Sequence, residues 1–297
     1  MNSPREGVYD RATAAALAKG AAASYGDDAA MRLWARAQGC EECQVVRDER
    51  TDTLAFAAAN ETEVFVCFRG TRDLRNWITD LDARRVECRM QNVHHAKRGK
   101  ECKMEVHEGF WRALEAVWAA LAELLDSMAA ERKNIFFCGH SLGGALAMLA
   151  AARWEARSGA GYSAAISGSL PRAATWMYSF GQPRVGNRAW ARWYDARLRQ
   201  RSFRIVHAED VVARVPWLFG MFRHAGTEIF HDAQGVEHVD WPWICKLRSD
   251  AAGLWMELKC GQVALLGDHR VATYVQLLNA QIFSRGPQAA ALLNHGI

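Results

Sequence analysis

A serine at position 141 lies in a setting that could make its hydroxyl a nucleophile. The sequence around it reads Gly139-His140-Ser141-Leu142-Gly143, a pattern typical of a sharp turn between a strand and a helix. The glycines leave room for the turn, because a side chain at either position would collide with neighbouring backbone. The turn imposes strained dihedrals on Ser141 and lets its hydroxyl project clear of the backbone. We therefore expect covalent chemistry at this residue.

The segments on both sides of Ser141 fit this interpretation. β-Forming residues Ile135, Phe136 and Phe137 precede the turn, and a run rich in Ala, Leu and Met follows it at helical density. The backbone N–H of Leu142 would open that helix and point to where negative charge develops on an attacked carbonyl. The context favours a functional turn over a chance match.

A serine nucleophile needs a histidine to accept its proton and a carboxylate to orient that histidine. On α/β folds with this turn, the chain order is serine, carboxylate, histidine. Asp210 follows the apolar strand pattern of residues 203–207, which places its carboxylate in a strand-end loop. Glu209 is the alternative acid, but alternation off the strand and the apolar residues after Asp210 favour Asp210.

Several histidines beyond Asp210 could serve as the base. They are His224, His231, His238, His269 and His295. Any one of them, taken alone, is more often a surface or hydrogen-bonded residue than a base. His269 is the strongest candidate, because it lies in a loop between the apolar run 263–266 and a helical pattern at 271–283. Spacing alone leaves the other four open.

Length and composition predict one globular domain. The chain has 297 residues, half of them hydrophobic, and carries a formal net charge of +4. No apolar run approaches the length of a membrane span, so we expect a soluble protein. The Ala-rich run 12–23 lacks the apolar centre of a secretory signal and has Arg11 and Lys19 beside and within it. It predicts an amphipathic helix and a cytoplasmic location, with export by another route as the alternative.

The eight cysteines divide into two groups. Cys67 and Cys138 fall in predicted core strands and are expected to be buried thiols. The others lie in or beside loops, where an oxidising space would permit disulfides; they are Cys40 with Cys43, Cys88 with Cys102, and Cys245 with Cys260. Without a secretory signal, reduced thiols are the expectation.

The order of elements predicts an α/β fold. Helical patterns cover residues 9–25, 29–38, 110–128 and 188–199, and strand patterns cover 44–47, 53–58, 63–68, 176–180 and 203–207. Strands that alternate with helices favour a mostly parallel sheet covered on both faces. In such sheets, sites gather beyond the C-terminal ends of the strands.

Two segments between residues 72 and 104 stand apart. Residues 73–82 place Leu74, Trp77, Ile78 and Leu81 on one face of a short helix. Residues 84–103 carry seven Lys or Arg against two Glu. This basic stretch could attract an anionic surface such as a lipid interface, although a solvated loop is the commoner explanation. It lacks the aromatic interleaving or module expected of nucleic-acid binding.

Several ordered motifs make the chain resemble the fungal-type class 3 lipases, a branch of the α/β-hydrolases, from about residue 64 to 274. The matching pieces are VCFRGT, RNWITDL, VHEGFW, GHSLGGALA, YSFGQPRVGN, RIVHAEDVVARVP, HAGTEIF and GDH. The resemblance implies one α/β-hydrolase domain over residues 1–297, with an N-terminal helical segment 1–39 and a lid and basic insert at about 72–104. In the family, the lid segment runs on briefly to the VHEGF piece, whereas here the basic stretch intervenes.

The resemblance also implies the roles of single residues. Ser141 would be the nucleophile, Asp210 the acid and His269 the base. Thr71 and Leu142 would supply the backbone N–H groups of the oxyanion hole. The helix 73–82 would be a lid or its hinge, with Leu74, Trp77, Ile78 and Leu81 covering the site. His140 and His224 belong to matching motifs, but would be structural hydrogen-bonding residues.

The implied activity is ester hydrolysis, most simply by a triacylglycerol lipase, with no metal or organic cofactor. Feruloyl esterase and phospholipase A1 activities also occur in the family. Residues 217–222 could line an acyl groove, although a core segment fits as well. Two interpretations come from other classes: a catalytically silent binding protein on the same fold, and a metal-binding module. The residues of that module would be Cys40, Cys43, Cys88, His94, His95 and Cys102, but their spacing fits no common zinc pattern well.

Overall fold

The computed structural model describes ten stretches of the chain, and every structural statement below concerns them. They are residues 8–72, 84–88, 103–129, 133–158, 174–207, 210, 212–215, 221–232, 234–241 and 269–284. The segment predicted as a lid, most of the basic stretch and residues 217–220 lie outside the described residues.

Within these stretches, helices and strands follow the predicted order. The helices are α1 (Arg11–Ala23), α2 (Asp28–Ala37), α3 (Glu108–Met128), α4 (Leu142–Ser158), α5 (Arg188–Leu198) and α6 (Val271–Ser284). The strands are β1 (Glu42–Asp48), β2 (Thr53–Ala59), β3 (Glu63–Phe68), β4 (Arg85–Glu87), β5 (Glu105–His107), β6 (Asn134–His140), β7 (Thr175–Phe180), β8 (Ser202–His207), β9 (Thr227–His231) and β10 (Glu237–Val239). Each predicted element in this part of the chain is confirmed to within a few residues.

Eight of the strands form one sheet in the order β1-β2-β3-β6-β7-β8-β9-β10. The five strands from β3 to β9 in this order pair in parallel, whereas β1, β2 and β10 add antiparallel pairs at the two ends. The predicted mostly parallel sheet is confirmed. The last two strands of the sheet, β9 and β10, were not predicted, and neither were β4 and β5, because each is short and its apolar pattern is weak.

Helices cover both faces of this sheet, because alternate residues of each central strand point to opposite sides. In β3, Val64 and Val66 pack with α3, α4 and α5 in one core. Phe65 and Cys67, from the same strand, pack with α1, α2 and α6 in the other. β6, which leads to Ser141, lies between β3 and β7 in the middle of the sheet, where it is shielded on both sides.

The Ala-rich run near the N-terminus is a core helix of the fold. Small residues of α1 are fully buried against the sheet, and a Cβ built on Gly20 would lie 2.9 Å from the Cys67 sulfur. The amphipathic helix predicted there is confirmed. Within the described residues, we find no helix with the length and apolarity needed to cross a bilayer.

The cysteines in the described residues are free thiols. Cys67 and Cys138, opposite each other on β3 and β6, are fully buried as predicted, with their sulfurs 3.1 Å apart. Cys40, Cys43 and Cys88 are also unbridged. No group of three or more His, Cys, Asp or Glu among the described residues could hold a metal ion. His94, His95 and Cys102 of the metal-module alternative lie outside them.

The two ends of the basic stretch are held together by a small antiparallel pair. Arg85 of β4 lies opposite His107 of β5, and the Cys88 N–H donates to the Met104 carbonyl at 2.8 Å. The described cations at these ends form ion pairs with nearby carboxylates, Arg85 with Glu105 at 2.5 Å and Lys103 with Glu87 at 3.3 Å. The insertion therefore begins and ends at a fixed place beside α3.

Candidate active site

Ser141 lies at the turn between β6 and α4, with a φ of +59°. This left-handed conformation is uncommon for a residue with a side chain and indicates stored backbone strain. The Ser141 N–H donates to the Phe180 carbonyl at 2.9 Å, and its own carbonyl accepts from the Gly144 N–H at 3.0 Å. Strand, turn and helix therefore have the arrangement that the sequence predicted.

The flanking glycines are required by close backbone contacts. A Cβ built on Gly139 would lie 2.3 Å from the Gly143 backbone, and one built on Gly143 would lie 2.3 Å from the Phe68 carbonyl oxygen. Both distances are far below van der Waals contact. The collision expected from the sequence is confirmed, and it involves the end of the neighbouring strand β3 as well as the turn itself.

Asp210 and His269 form a buried hydrogen-bonded pair. The distance from His269 Nδ1 to Asp210 Oδ2 is 2.7 Å, and both side chains are almost completely buried. The Val212 N–H donates to Asp210 Oδ1 at 2.8 Å, and the Tyr274 hydroxyl donates to Asp210 Oδ2 at 2.5 Å. Of the two neighbouring carboxylates considered from the sequence, Asp210 is therefore the one seen with a histidine; Glu209 lies outside the described residues.

The environment keeps Asp210 ionised. Burial by itself acts to raise the pKa of this carboxyl, but the charge and hydrogen bond of His269 and the hydrogen bond from Tyr274 outweigh it, so the pKa lies below the usual value. An ionised Asp210 accepts the Nδ1–H of His269 and leaves Nε2 as the nitrogen that can take a proton.

The free nitrogen of His269 and the hydroxyl of Ser141 are both buried. Within the described part of the chain, neither His269 Nε2 nor Ser141 Oγ has a hydrogen-bond partner. The His269 ring lies beside that of His140, the residue before Ser141, with ring centroids 4.5 Å apart. The hydrogen bond between a catalytic serine and its histidine is often long without substrate and tightens when substrate binds.

Thr71 and Leu142 follow equivalent points on adjacent parallel strands. Phe68 of β3 lies opposite Gly139 of β6, and Thr71 and Leu142 each come three residues later. Leu142 is the first residue of α4, so its N–H is one of the donors that a helix leaves without an internal partner. Both amides therefore lie beyond the C-terminal ends of these two strands, as the oxyanion-hole prediction requires.

His140 and His224 make structural hydrogen bonds, as the resemblance implied. His140 Nδ1 lies 2.9 Å from the Tyr25 hydroxyl, and His140 Nε2 lies 2.6 Å from the His269 carbonyl oxygen. Burial, followed by repulsion from His269, lowers the pKa of His140 to about 3, so it is neutral near pH 7. His224 Nε2 lies 2.7 Å from the Ala213 carbonyl oxygen.

The remaining candidate histidines and the predicted groove residues lie apart from the Asp210–His269 pair or outside the described residues. His231 and His238 are on β9 and β10, the last two strands of the sheet, and His238 pairs with Asp232 at 2.9 Å. His295 and the lid residues Leu74, Trp77, Ile78 and Leu81 lie outside the described residues. Phe222, at the end of the segment proposed as an acyl groove, is buried near His107.

Three residues of this site were not found from the sequence. Tyr274 and Tyr25 are single tyrosines in helical surroundings, and nothing in their spacing marks them as partners of Asp210 or His140. Gly181 has a φ of +59°, and a Cβ there would lie 2.3 Å from Asp210 Oδ2 and 2.9 Å from the His269 ring. Its place in a turn with two glycines, Gly181-Gln182-Pro183-Arg184-Val185-Gly186, was the only available signal.

A mostly parallel sheet with helices on both faces, and a strained serine between a central strand and its helix, define an α/β-hydrolase fold. The sequence profile of the family described as lipase (class 3) matches residues 65–219. The chain belongs to this family. Ser141 and Asp210 fall within the matched residues, whereas His269, Tyr274 and the N-terminal helices lie beyond them.

Named relatives agree with this assignment. The secreted mono- and diacylglycerol lipase A of Penicillium cyclopium is 30% identical over 184 residues, which are 60% of this chain and 52% of that protein. A lipase of Rhizomucor miehei is 30% identical over 198 residues, 63% of this chain and 48% of that protein. The chain thus spans about half the length of the curated relatives it matches. The first relative is named as secreted, so the predicted cytoplasmic location finds no support from it.

Solved structures show the same fold. A triacylglycerol lipase, described as having a serine protease triad as its catalytic centre, matches with a TM-score of 0.58 at 26% identity, covering 77% of this chain and 82% of that chain. The mono- and diacylglycerol lipase of Aspergillus oryzae matches with a TM-score of 0.59 at 23% identity, covering 78% and 86% of the two chains.

Proposed function

We propose that this chain hydrolyses carboxylic esters of acylglycerols through a covalent acyl-enzyme. The observation that carries the proposal is the buried pair of Asp210 and His269, in which the His269 ring lies beside that of His140, the residue before the strained Ser141. Serine, carboxylate and histidine in this chain order on this fold are the parts that acyl transfer needs.

The mechanism begins with proton transfer. Ser141 Oγ attacks the ester carbonyl as His269 Nε2 takes its proton, and Asp210 holds the Nδ1–H of the resulting imidazolium. The amides of Leu142 and Thr71 donate to the oxyanion of the tetrahedral intermediate. His269 then gives its proton to the departing alcohol, which leaves the acyl group on Ser141. Water repeats the cycle and releases the carboxylic acid.

Replacing the nucleophile tests the reaction class. In the Ser141→Ala variant, we expect hydrolysis of a nitrophenyl ester to fall by several orders of magnitude, because no acyl-enzyme can form. A fluorophosphonate probe should label the wild-type chain at Ser141 and leave the variant unlabelled. Retention of substantial activity by Ser141→Ala would contradict the proposal, and an unlabelled, inactive wild type would favour the silent binding protein instead.

The substrate is proposed from the relatives, which are named as mono-, di- and triacylglycerol lipases. Rates on short-chain and long-chain acylglycerols, a phospholipid and a ferulate ester, measured above and below substrate solubility, separate a lipase from a phospholipase A1 or a feruloyl esterase. We expect the highest rate on an acylglycerol, with a rise once an oil–water interface forms, if residues 73–82 act as a lid. Smooth saturation across the solubility limit would contradict the lid.

The compartment in which this reaction takes place also belongs to the proposal. The relative from Penicillium cyclopium is named as secreted, and on that ground we propose an extracellular substrate. The Ala-rich run 12–23, which lacks the apolar centre of a secretory signal, forms most of α1, a buried helix of the fold. Detection of the native chain in the medium or in the cytosol of its source cells decides between the two locations.

A further inference from the structure

Tyr25, between α1 and α2, contacts the site from outside the family match. Its hydroxyl lies 2.9 Å from His140 Nδ1. His140 Nε2 lies 2.6 Å from the His269 carbonyl oxygen, which can only accept a hydrogen bond. His140 is neutral and carries one ring proton, which must therefore be on Nε2. Nδ1 is then an acceptor, and the Tyr25 hydroxyl must donate to it.

The same hydroxyl also contacts the loop that follows β3. The Tyr25 oxygen also packs against the backbone of Gly70. A Cβ built on Gly70 would lie 2.1 Å from that oxygen and 2.6 Å from the His140 carbonyl oxygen, so no other residue type allows this approach. Gly70 immediately precedes Thr71, which is one of the two proposed oxyanion donors.

These contacts form one directed chain of hydrogen bonds. It runs from the Tyr25 O–H to His140 Nδ1 and from His140 Nε2–H to the His269 carbonyl, and the Tyr25 oxygen at its start lies against Gly70 of the oxyanion loop. We propose that Tyr25 and His140 are positioning residues that fix the oxyanion loop and the base relative to each other. This inference rests on the proposed function, because it assigns roles to Thr71 and His269 as parts of one reaction centre.

This series of hydrogen bonds is suited to positioning rather than to proton transfer. Both ring nitrogens of His140 are engaged, and neither donates to or accepts from the Ser141 hydroxyl. His140 contacts the backbone carbonyl of His269 and not its ring. The contact therefore fixes the position of the His269 backbone and leaves Nε2 of the ring available. A small displacement of a base or of an oxyanion donor can lower a rate by about 100-fold.

The Tyr25→Phe variant removes only the hydroxyl. Nitrophenolate departs without a proton, whereas an alkoxide needs one from the base, so we expect kcat to fall about 10-fold on a nitrophenyl ester and further on an ethyl ester of the same acid. KM should change little. Active sites are counted with the fluorophosphonate probe, because a merely unfolded fraction would lower both rates equally.

Tyr194→Phe is the matched control. Tyr194 is a fully buried tyrosine whose hydroxyl lies 2.9 Å from Ser202 Oγ, on α5 and β8. Losing this hydroxyl also breaks one buried hydrogen bond, but it should leave the ratio of the two ester rates unchanged. Thermal unfolding of both variants shows whether their stabilities are comparable.

A double variant tests whether Tyr25 acts on His269 through His140. His140→Gln keeps a side-chain N–H for the His269 carbonyl, but loses the imidazole nitrogen that accepts the hydrogen bond from the Tyr25 hydroxyl. If Tyr25 acts through His140, adding Tyr25→Phe to His140→Gln should lower kcat less than it does in the wild type. Equal losses in the two backgrounds would overturn the proposed chain.

The outcomes separate this inference from the proposed function. If the wild type hydrolyses both esters, and Tyr25→Phe keeps its kcat and the ratio of rates, the positioning role is wrong while the reaction class stands. If Tyr25→Phe lowers both rates in parallel per labelled site, the hydroxyl does not act on the base, and the inference is likewise overturned. A wild type that hydrolyses neither ester and escapes the probe overturns both.

Discussion

Ser141 combines two unfavourable conditions that only a well-packed fold can maintain. Its backbone has a positive φ of 59° and its hydroxyl is buried without a hydrogen bond among the described residues. Strain of this kind costs on the order of 1–3 kcal/mol. Strain at a buried hydroxyl fits the proposed catalytic role of Ser141 better than a structural one.

Asp210, the proposed acid, is the residue for which the sequence offered a direct alternative, Glu209. We expect Asp210→Asn to lower kcat by about 10³- to 10⁴-fold, because an amide neither stabilises an imidazolium nor fixes the tautomer with Nδ1–H. The neighbouring change Glu209→Gln should leave kcat within about twofold. Steady-state rates of both purified variants on a nitrophenyl ester give the comparison. A large loss in Glu209→Gln with an active Asp210→Asn would reverse the assignment.

At the scale of elements, the site depends on where strands end. β3, β6, β7 and β8 run in parallel, so the loops after them meet at one edge of the sheet. Thr71, Ser141 and Asp210 each follow one of these strands, and His269 precedes α6, which packs with α1 on the other face. The loop after β7 supplies none of the proposed reacting groups. Its Gly181 lies directly beside Asp210 and His269, where a residue with a Cβ would collide with them.

Gly181→Ala tests that close approach. The added Cβ would lie 2.3 Å from Asp210 Oδ2, so the pair must move, and we expect kcat to fall by about 100-fold or more. Gly39→Ala is the control, because Gly39 also has a positive φ, of 73°, but nothing lies within 4 Å of the Cβ built there. Kinetics and urea unfolding should show similar backbone strain in both variants and a rate loss in Gly181→Ala alone.

At the scale of the whole molecule, the N-terminal helices are part of the α/β-hydrolase fold although they lie outside the family match. α1 packs on β3, β6 and β7 and against α6, and the segment after it brings Tyr25 to His140. The helix α6, which carries Tyr274, therefore packs against α1, which lies some 250 residues earlier in the chain. Loss of α1 packing should weaken the whole domain rather than fray one end.

Leu17 and Leu33 allow a matched test of this packing. Leu17 of α1 is fully buried, whereas Leu33 of α2 is 71% exposed. We expect Leu17→Ala to lower the free energy of unfolding by about 2–4 kcal/mol and Leu33→Ala by less than about 0.5 kcal/mol. Urea denaturation at one pH measures both. A Leu17→Ala variant as stable as Leu33→Ala would mean that α1 is not integral to the core.

The sequence by itself determined most of the elements, the mostly parallel sheet and the strained turn at Ser141, and it favoured Asp210 over its neighbour as the acid. These features are local: apolar periodicity and glycine spacing are set by residues close together in the chain. For His269, spacing left five histidines open, and only a family resemblance selected one. Sequence spacing did not reveal the partners Tyr274, Gly181 and Tyr25, because a hydrogen bond or a close approach across about 30 to 115 positions depends on how helices dock on the sheet. That docking is decided by the tertiary structure, in which distant segments compete for the same buried space.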